Sequence, residues 1–494
     1  MQSFKDKPLK ASDYVKRTLI FVMHALILIG LGVLAIFLNA TGDVTFKQCF
    51  TDKERLKNFT NLISGIILLV VILFVYFSKE YKDFIAKQKN VHMIFLIIEV
   101  TLIIDFCIAR YLRYSFAVFA RPFAFGALLT LYLVDRRSAV FVNTINAVLV
   151  FLFDAFTSSG LTSPVVYCAL VLHVICGVVS VYLLNGVTGR VKIFLAGFIL
   201  SLPTFALAMG INYLPRWEDN LKLALYCLAS GIFSVVFTTV LLPVYESVFN
   251  IVTDFRLSEI TNANAKIIAE LRNNAPGTYN HSLTVATLAE ACAVAIGENV
   301  LRARAAAYYH DVGKLRQPDY YTENQQGYNP HDELTPELST DIIRSHTIGG
   351  AEFIKENNLP DFLADVAREH HGTLPIKYFY AKAKKLTENE VDIKEYSYFG
   401  PKPGTKIACI IMICDAAEAK VRTMADRSFE KVYKAVSEII EERMDLEQFN
   451  DCDITLKELD SIRLAIVTCL AGVYHSRLKY PKLKIKKSGI ENDD

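Results

Sequence analysis

The sequence predicts an all-α protein in two parts: a polytopic membrane helix bundle followed by an all-helical soluble half. Hydrophobic residues fill 52% of its 494 positions, and the mean hydropathy is +0.30. Both values are high for a soluble chain of this length. The apolar excess lies in the first 250 residues. Beyond them, apolar positions recur with helical spacing, glycines and prolines end the periodic stretches, and β alternation is scarce.

Eight runs are long enough to cross a bilayer, at about 18–40, 60–77, 91–109, 115–134, 138–156, 163–184, 191–214 and 223–247. Three of them carry polar residues: Glu99 and Asp105 in the third, Arg121 and Pro122 in the fourth, Asn143, Asn146 and Asp154 in the short fifth. A cytoplasmic N-terminus puts thirteen basic residues inside: Lys5, Lys7, Lys10, Lys16, Arg17, Lys79, Lys82, Lys87, Lys89, Arg136, Arg137, Arg190 and Lys192. Eight stay outside: Lys47, Lys53, Arg55, Lys57, Arg110, Arg113, Arg216 and Lys222. This bias sets the orientation, and eight crossings return the chain to the cytoplasm at residue 248. The expected location is the cell membrane, multi-pass, with the second half cytoplasmic. The first run is too long for a cleaved signal peptide and has no clear small-residue cleavage site.

Of ten cysteines, only Cys49 falls in an expected outside loop, which excludes an external disulfide framework within one chain. No CxxC is present, so a thiolate zinc site is not expected. Glu99, Asp105, Arg110, Arg121 and Asp154 either satisfy one another structurally or line a ligand cavity, and pairing is the simpler expectation. The net charge of +2 is uninformative about partners. No basic stripe with interleaved aromatics points to nucleic acid.

Residues 248–275 read as a helical linker, broken at Asn273-Asn-Ala-Pro-Gly277. His281–Ile296 has an apolar face and stops at Gly297. Val300–His310 follows, then a polar surface loop over 316–333, then Leu338–Arg344, Ile348–Asn357 and Phe362–His371. Residues 373–403 form an irregular or partly helical insertion, and helices cover 405–424, 429–442 and 455–477. The basic stretch Lys479–Lys487 is expected to be solvated or to touch anionic lipid.

One series of residues carries chemistry. His310-Asp311 follows an Ala-rich helix and precedes Gly313. His281 stands 29 positions earlier, and His346, His370, His371 and Asp415 follow. Five of the ten histidines fall in this series. A lone His-Asp pair is usually incidental, but the whole series on helical segments reads as a metal site. A carboxylate has two oxygens and can bridge two cations, so Asp311 is the natural bridge. His281, His310 and Asp415 complete one position, and His346 and His370, with or without His371, the other. Such nitrogen and oxygen donors suit Mn, Fe or other first-row ions. Two cations about 3.5–4 Å apart suit phosphodiester hydrolysis, since together they hold the phosphate, generate hydroxide and stabilise the leaving oxygen. Lys314, three residues past Asp311, is expected to put an ammonium near a phosphate oxygen, making Asp311 and Lys314 the catalytic pair. Arg422 lies seven positions after Asp415 on the same helical face and is a candidate for ligand phosphate or base.

His310-Asp-Val-Gly-Lys314 resembles the HD-domain phosphohydrolase signature. Ala275-Pro-Gly-Thr-Tyr-Asn-His-Ser282, Glu369-His-His-Gly-Thr373, Asp415-Ala-Ala-Glu-Ala-Lys-Val-Arg422 and Tyr474-His-Ser-Arg-Leu-Lys-Tyr-Pro481 are similar to motifs of the seven-transmembrane HD (PgpH-type) cyclic di-AMP phosphodiesterases. The likeness spans roughly 60–480. It implies an all-helical cytoplasmic HD domain, a centre of two divalent metal ions and cleavage of cyclic di-AMP to pApA, which lowers the level of a second messenger. The domains expected are 1–59 (first span and short extracellular loop), 60–247 (seven spans), 248–275 (linker), 276–480 (HD domain) and 481–494 (tail). Expected partners are the cyclic dinucleotide and the lipid bilayer, with no nucleic acid; a homodimer is compatible.

Two departures stand out. The family usually carries a large extracellular domain between its first and second spans, whereas only residues 41–59 fill that interval here. Asn280 precedes His281, where many relatives have His. A cyclic di-GMP phosphodiesterase of the HD-GYP type would carry Gly-Tyr-Pro after the double histidine, but this chain has Gly372-Thr-Leu-Pro-Ile-Lys377. The remaining alternatives are another nucleotide phosphohydrolase and a non-catalytic nucleotide-binding membrane receptor. The membrane half argues against the first, and the complete donor set against the second.

Overall fold

Long apolar helices dominate the first part of the chain. In a computed structural model, residues 11–39, 52–81, 84–85, 87–111, 116–157, 161–187, 189–211, 217–387 and 389–474 are described. The short loop around Cys49, the motif from His475 to Pro481 and the basic tail lie outside them. The chain divides into two compact units, Met1–Asp254 and Phe255–Asp494.

The first unit contains α1 (Ala11–Asn39), α2 (Lys53–Glu80), α3 (Gln88–Tyr111), α4 (Phe125–Leu133), α5 (Arg136–Phe156), α6 (Ser163–Leu184), α7 (Arg190–Ile211) and α8 (Trp217–Phe249). Among the described residues seven helices are long and apolar enough to cross a membrane; α4 is the exception. Leu26, Leu68, Leu202 and Val240 project outward and suit lipid contact. Several buried hydroxyls are satisfied within their own helices, as Thr101 and Thr238 donate to carbonyls four residues back. That is the economical solution where no water is available. Asp52 and Asp135 accept backbone N–H groups at the starts of α2 and α5.

The fourth apolar run corrects the expected picture of eight continuous spans. It is a 3-10 turn, Ala117–Ala120, followed by the nine-residue α4. Pro122 cannot continue a helix through residues 118–122, and nine residues rise only about 14 Å against a ~30 Å core. The segment nevertheless traverses the bundle. At one end Arg121 donates to both Asp154 oxygens (2.5 and 2.7 Å) near the end of α5, and to the Asp105 carbonyl (3.2 Å) late in α3. At the other, Tyr132 donates to the Val187 carbonyl beyond α6 (3.5 Å) and Asp135 accepts from Tyr81 beyond α2 (3.1 Å). The Asp135 and Asp154 anchor points lie at opposite ends of α5, so the broken element runs beside that helix from one end to the other.

The buried polar residues of this unit pair with one another. His24 meets Glu99 at 2.7 Å and His92 at 3.0 Å, and His173 Nε2 lies 2.9 Å from Asp105. Arg110 donates to the Leu38 carbonyl.

The second unit begins with α9 (Asp254–Ile260) and α10 (Lys266–Asn274), whose Leu257, Ile260, Ile268 and Leu271 are buried. Tyr309 donates to the Ile260 carbonyl (2.8 Å). The stretch read as a linker therefore packs onto the soluble helices. Next come α11 (Pro276–Ile296), α12 (Val300–Tyr309), α13 (Pro336–Glu356), α14 (Asp361–Glu369), α15 (Lys377–Leu386), α16 (Lys406–Thr423), α17 (Phe429–Asp445) and α18 (Leu456–Tyr474). Pro276 starts α11, because the first helical position needs no N–H donor. Gly297 ends it in the left-handed region, at φ 75°. From Ile407 to Cys414 every residue of α16 is buried, as expected of a helix that is apolar all round.

One expectation changes and another gains detail. Leu338–Arg344 and Ile348–Asn357 are one helix, α13, started by Thr335 and unbroken at His346. The 316–333 segment lies at the surface as expected, with Gln326, Tyr328 and Asp332 exposed, but it forms short 3-10 turns and buries Tyr321 and His331. The 373–403 insertion holds α15, a turn at Ile393–Tyr396 and an isolated bridge between Pro375 and Ser397, with a small core of Phe379, Ala383 and Tyr396.

Candidate metal centre

Five segments bring the His/Asp series together. His281 projects from α11 and His346 from the middle of α13. His310 caps α12 with Asp311 next to it, His370 caps α14 with His371 next to it, and Asp415 lies on α16. His310 and His370 are 0% exposed and Asp311 1%. Gly313 permits the approach of the turn after Asp311 to α13, since a Cβ there would stand 2.0 Å from the His346 carbonyl oxygen.

Backbone geometry fixes the rings. The Nδ1 atoms of His310, His346 and His370 face the carbonyls of Ala307 (2.8 Å), Ile343 (2.5 Å) and Ala367 (2.9 Å). A carbonyl only accepts, so each Nδ1 carries hydrogen, and each ring turns its Nε2 toward the cluster. His281 is held differently: its Nδ1 faces the Glu418 carboxylate (2.6 Å) and its Nε2 the Asp415 carboxylate (3.0 Å).

Asp311 divides its oxygens. Oδ1 lies 3.3 Å from His346 Nε2 and 3.6 Å from His370 Nε2. Oδ2 lies 3.2 Å from His310 Nε2 and 3.8 Å from His281 Nε2. Three donor groups could each hold an ion: His281/His310/Asp415, His346/His370/His371 and His310/Asp311/His370, with the atoms of each group within 4.8 Å of one another. The donor set fits a cation. His310 Nε2 and Asp311 Oδ1 are buried without a hydrogen-bond partner. His346 and His370 bring their Nε2 atoms within 3.3 Å of each other beside Asp311 Oδ1, close enough to share one cation.

His371 sits at the rim. Its Nδ1 is 3.8 Å from Asp415 Oδ2, and its ring stacks on Tyr398 at 4.3 Å. Lys314 Nζ contacts Asp311 Oδ2 (2.7 Å) and Glu323 (2.8 Å), so two carboxylates already engage its ammonium. Arg422 is not brought to the cluster. Its side chain is 44% exposed and its Nε lies 3.9 Å from Glu418.

Burial opposes ionisation throughout, and neighbours decide the outcome. Burial disfavours charge on Asp311, but His310 and Lys314 hold its carboxyl well below the usual range. Asp415 is lowered too, against burial, by its bond to His281. Burial also disfavours a charged His281, yet bonds to Asp415 and Glu418 outweigh it and raise the pKa to about 10. At His346 burial outweighs the nearby Asp311 carboxylate and lowers the pKa to about 3. Burial and His370 likewise hold His371 well below the ordinary value.

Glu418, Glu323 and Tyr398 were not singled out in the sequence. Glu418 carried a usable signal, since it follows Asp415 by three residues on one helix. Glu323 and Tyr398 carried none, because irregular segments bring them in.

Residues 57–253 match the family described as 7TM receptor with intracellular HD hydrolase, and residues 278–420 match the HD domain. The two matches follow one another along the chain in the order that a seven-transmembrane HD protein has. The cyclic-di-AMP phosphodiesterase PgpH of Listeria monocytogenes is 37% identical over 442 residues, covering 87% of this chain and 60% of that protein. PgpH of Bacillus subtilis is 34% identical over 433 residues, 86% of this chain and 60% of that one. This chain thus spans 60% of the length of these relatives. A crystal structure of the Listeria PgpH HD domain with cyclic-di-AMP is 48% identical over 43% of this chain and 99% of that one, with a TM-score of 0.42. The all-α fold and the seven-transmembrane HD resemblance expected from the sequence both hold.

Proposed function

We propose that this chain is a membrane-bound, metal-dependent phosphodiesterase that hydrolyses cyclic di-AMP to pApA on the cytoplasmic side of the cell membrane. The observation that carries the reading is Asp311, whose two oxygens face two separate donor groups. The identity to two PgpH proteins over most of this chain supports the substrate.

In this reading His281, His310 and Asp415 would hold one divalent cation, and His346, His370 and His371 the other, with Asp311 contributing a carboxylate to both. Mn and Fe suit these nitrogen and oxygen donors. Bound there, the cations supply Lewis acidity and lower the pKa of water. The chain's own residues set the geometry. Carbonyls at Ala307, Ile343 and Ala367 fix the three rings, and Glu418 fixes the fourth. Lys314, held by Glu323, orients Asp311 and adds positive charge beside the phosphate. In the hydrolysis a water oxygen joins phosphorus, the P–O3′ bond breaks and a water proton ends on the 3′ oxygen. Arg422, at the exposed edge, is assigned to the substrate's outer part.

The full chain, purified in detergent with Mn or Fe, tests this on cyclic di-AMP and cyclic di-GMP in parallel. Faster cleavage of cyclic di-AMP to pApA is expected. A pocket fitted to adenine leaves polar groups unpaired against guanine, at about 1–3 kcal/mol each. Equal rates or a guanine preference would remove the substrate assignment, and absence of metal-dependent turnover would remove the enzyme.

A further inference from the structure

The two donor groups differ in charge. His281 and His310 share their position with the carboxylate of Asp415, whose Oδ1 points at His281 (3.0 Å) and lies 4.0 Å from His310. Behind His281 stands a second carboxylate, Glu418, buried and 2.6 Å from Nδ1. The other position is built from His346, His370 and His371. The first two rest on neutral backbone carbonyls, and the third stacks on the neutral ring of Tyr398. Asp311 turns one oxygen to each position, and Lys314 lies 2.7 Å from the one that faces His310. Cations stand near: Lys314, which Glu323 also engages, and Arg422, half exposed with its Nε 3.9 Å from Glu418. Asp415 Oδ2 reaches toward His371 only at 3.8 Å.

We propose that the two cation positions are unequal, and that Glu418 is the positioning residue that makes the His281–His310–Asp415 position the tighter and first filled. A carboxylate behind a ligating imidazole fixes the ring and strengthens the nitrogen that faces the metal. Only one of the four inward-facing rings has one. The inference rests on the metal-centre reading above and adds an order of filling.

The full chain in detergent, stripped with chelator, is titrated with Mn2+ while free Mn2+ is followed by its magnetic resonance signal. Wild type should bind two equivalents in two classes at least about tenfold apart. Glu418→Gln keeps a hydrogen-bond acceptor and removes the charge. It should weaken the tighter class about 10–100-fold and leave the weaker class unchanged. His371→Ala should remove the weaker class alone, which keeps the test decisive if Glu418→Gln does not fold. Two classes of equal affinity, a tighter class unmoved by Glu418→Gln, or loss of the tighter class in His371→Ala would each overturn the proposal. Absence of any bound Mn2+ in wild type would instead remove the metal centre itself.

Discussion

The membrane unit and the soluble unit both bury charge, but they arrange it in opposite ways. In the first, acid meets base one to one: Arg121 with Asp154, His173 with Asp105, His24 with Glu99. In the second, four histidine nitrogens converge on one carboxylate, and His346 and His370 turn like atoms toward each other. One-to-one pairing is what a structural network needs, since each partner offsets the other's desolvation. Convergence of like donors is unfavourable by itself and marks the place where a cation completes the structure.

The largest effect that would break this contrast comes from Asp311→Ala. It should lose both metal equivalents and drop turnover to background, with membrane insertion intact. Metal analysis of the purified variant checks it, and two retained equivalents with normal turnover would take Asp311 out of the site.

In the membrane unit the matching change is Asp154→Ala. Arg121 is left buried and unpaired, at a cost of about 3–5 kcal/mol. Thermal unfolding in detergent should show it, and the double change Arg121→Met with Asp154→Leu should recover much of the loss. No recovery would mean that the pair is not one-to-one.

Acidity sharpens the comparison further. Metal-free His281 has its pKa raised to about 10, so at neutral pH a proton occupies the nitrogen that a cation needs. His346, lowered to about 3, is already free. Affinity for the first cation should therefore rise with pH, about tenfold per unit between pH 6 and 8, with a proton released from His281. Calorimetry in buffers of different ionisation heat measures this. A flat profile would contradict the geometry around His281.

The smallest expected effect is at Arg422. Its side chain is half in solvent and touches the cluster only through Glu418. Arg422→Ala should change Mn2+ affinity by less than about threefold while raising KM, as loss of a binding contact does. An unchanged KM would remove Arg422 from the substrate.

The sequence by itself determined the two-part, all-helical plan, because apolar runs of bilayer length and helical spacing are local properties of the chain. It also picked out His281, His310, Asp311, His346, His370, His371 and Asp415, since their residue types and motif context are linear. It misjudged the run at 115–134, where hydropathy counts apolar residues but Pro122 decides how far a helix extends. It could not show that Asp311 splits its oxygens between two groups, that Lys314 is engaged by Glu323, or that Glu418 rather than a carbonyl stands behind His281. Those facts depend on contacts between segments far apart in the chain: 137 positions separate His281 from Glu418. Only the packing of α11 against α16 sets such a distance, and no periodicity within either helix encodes it.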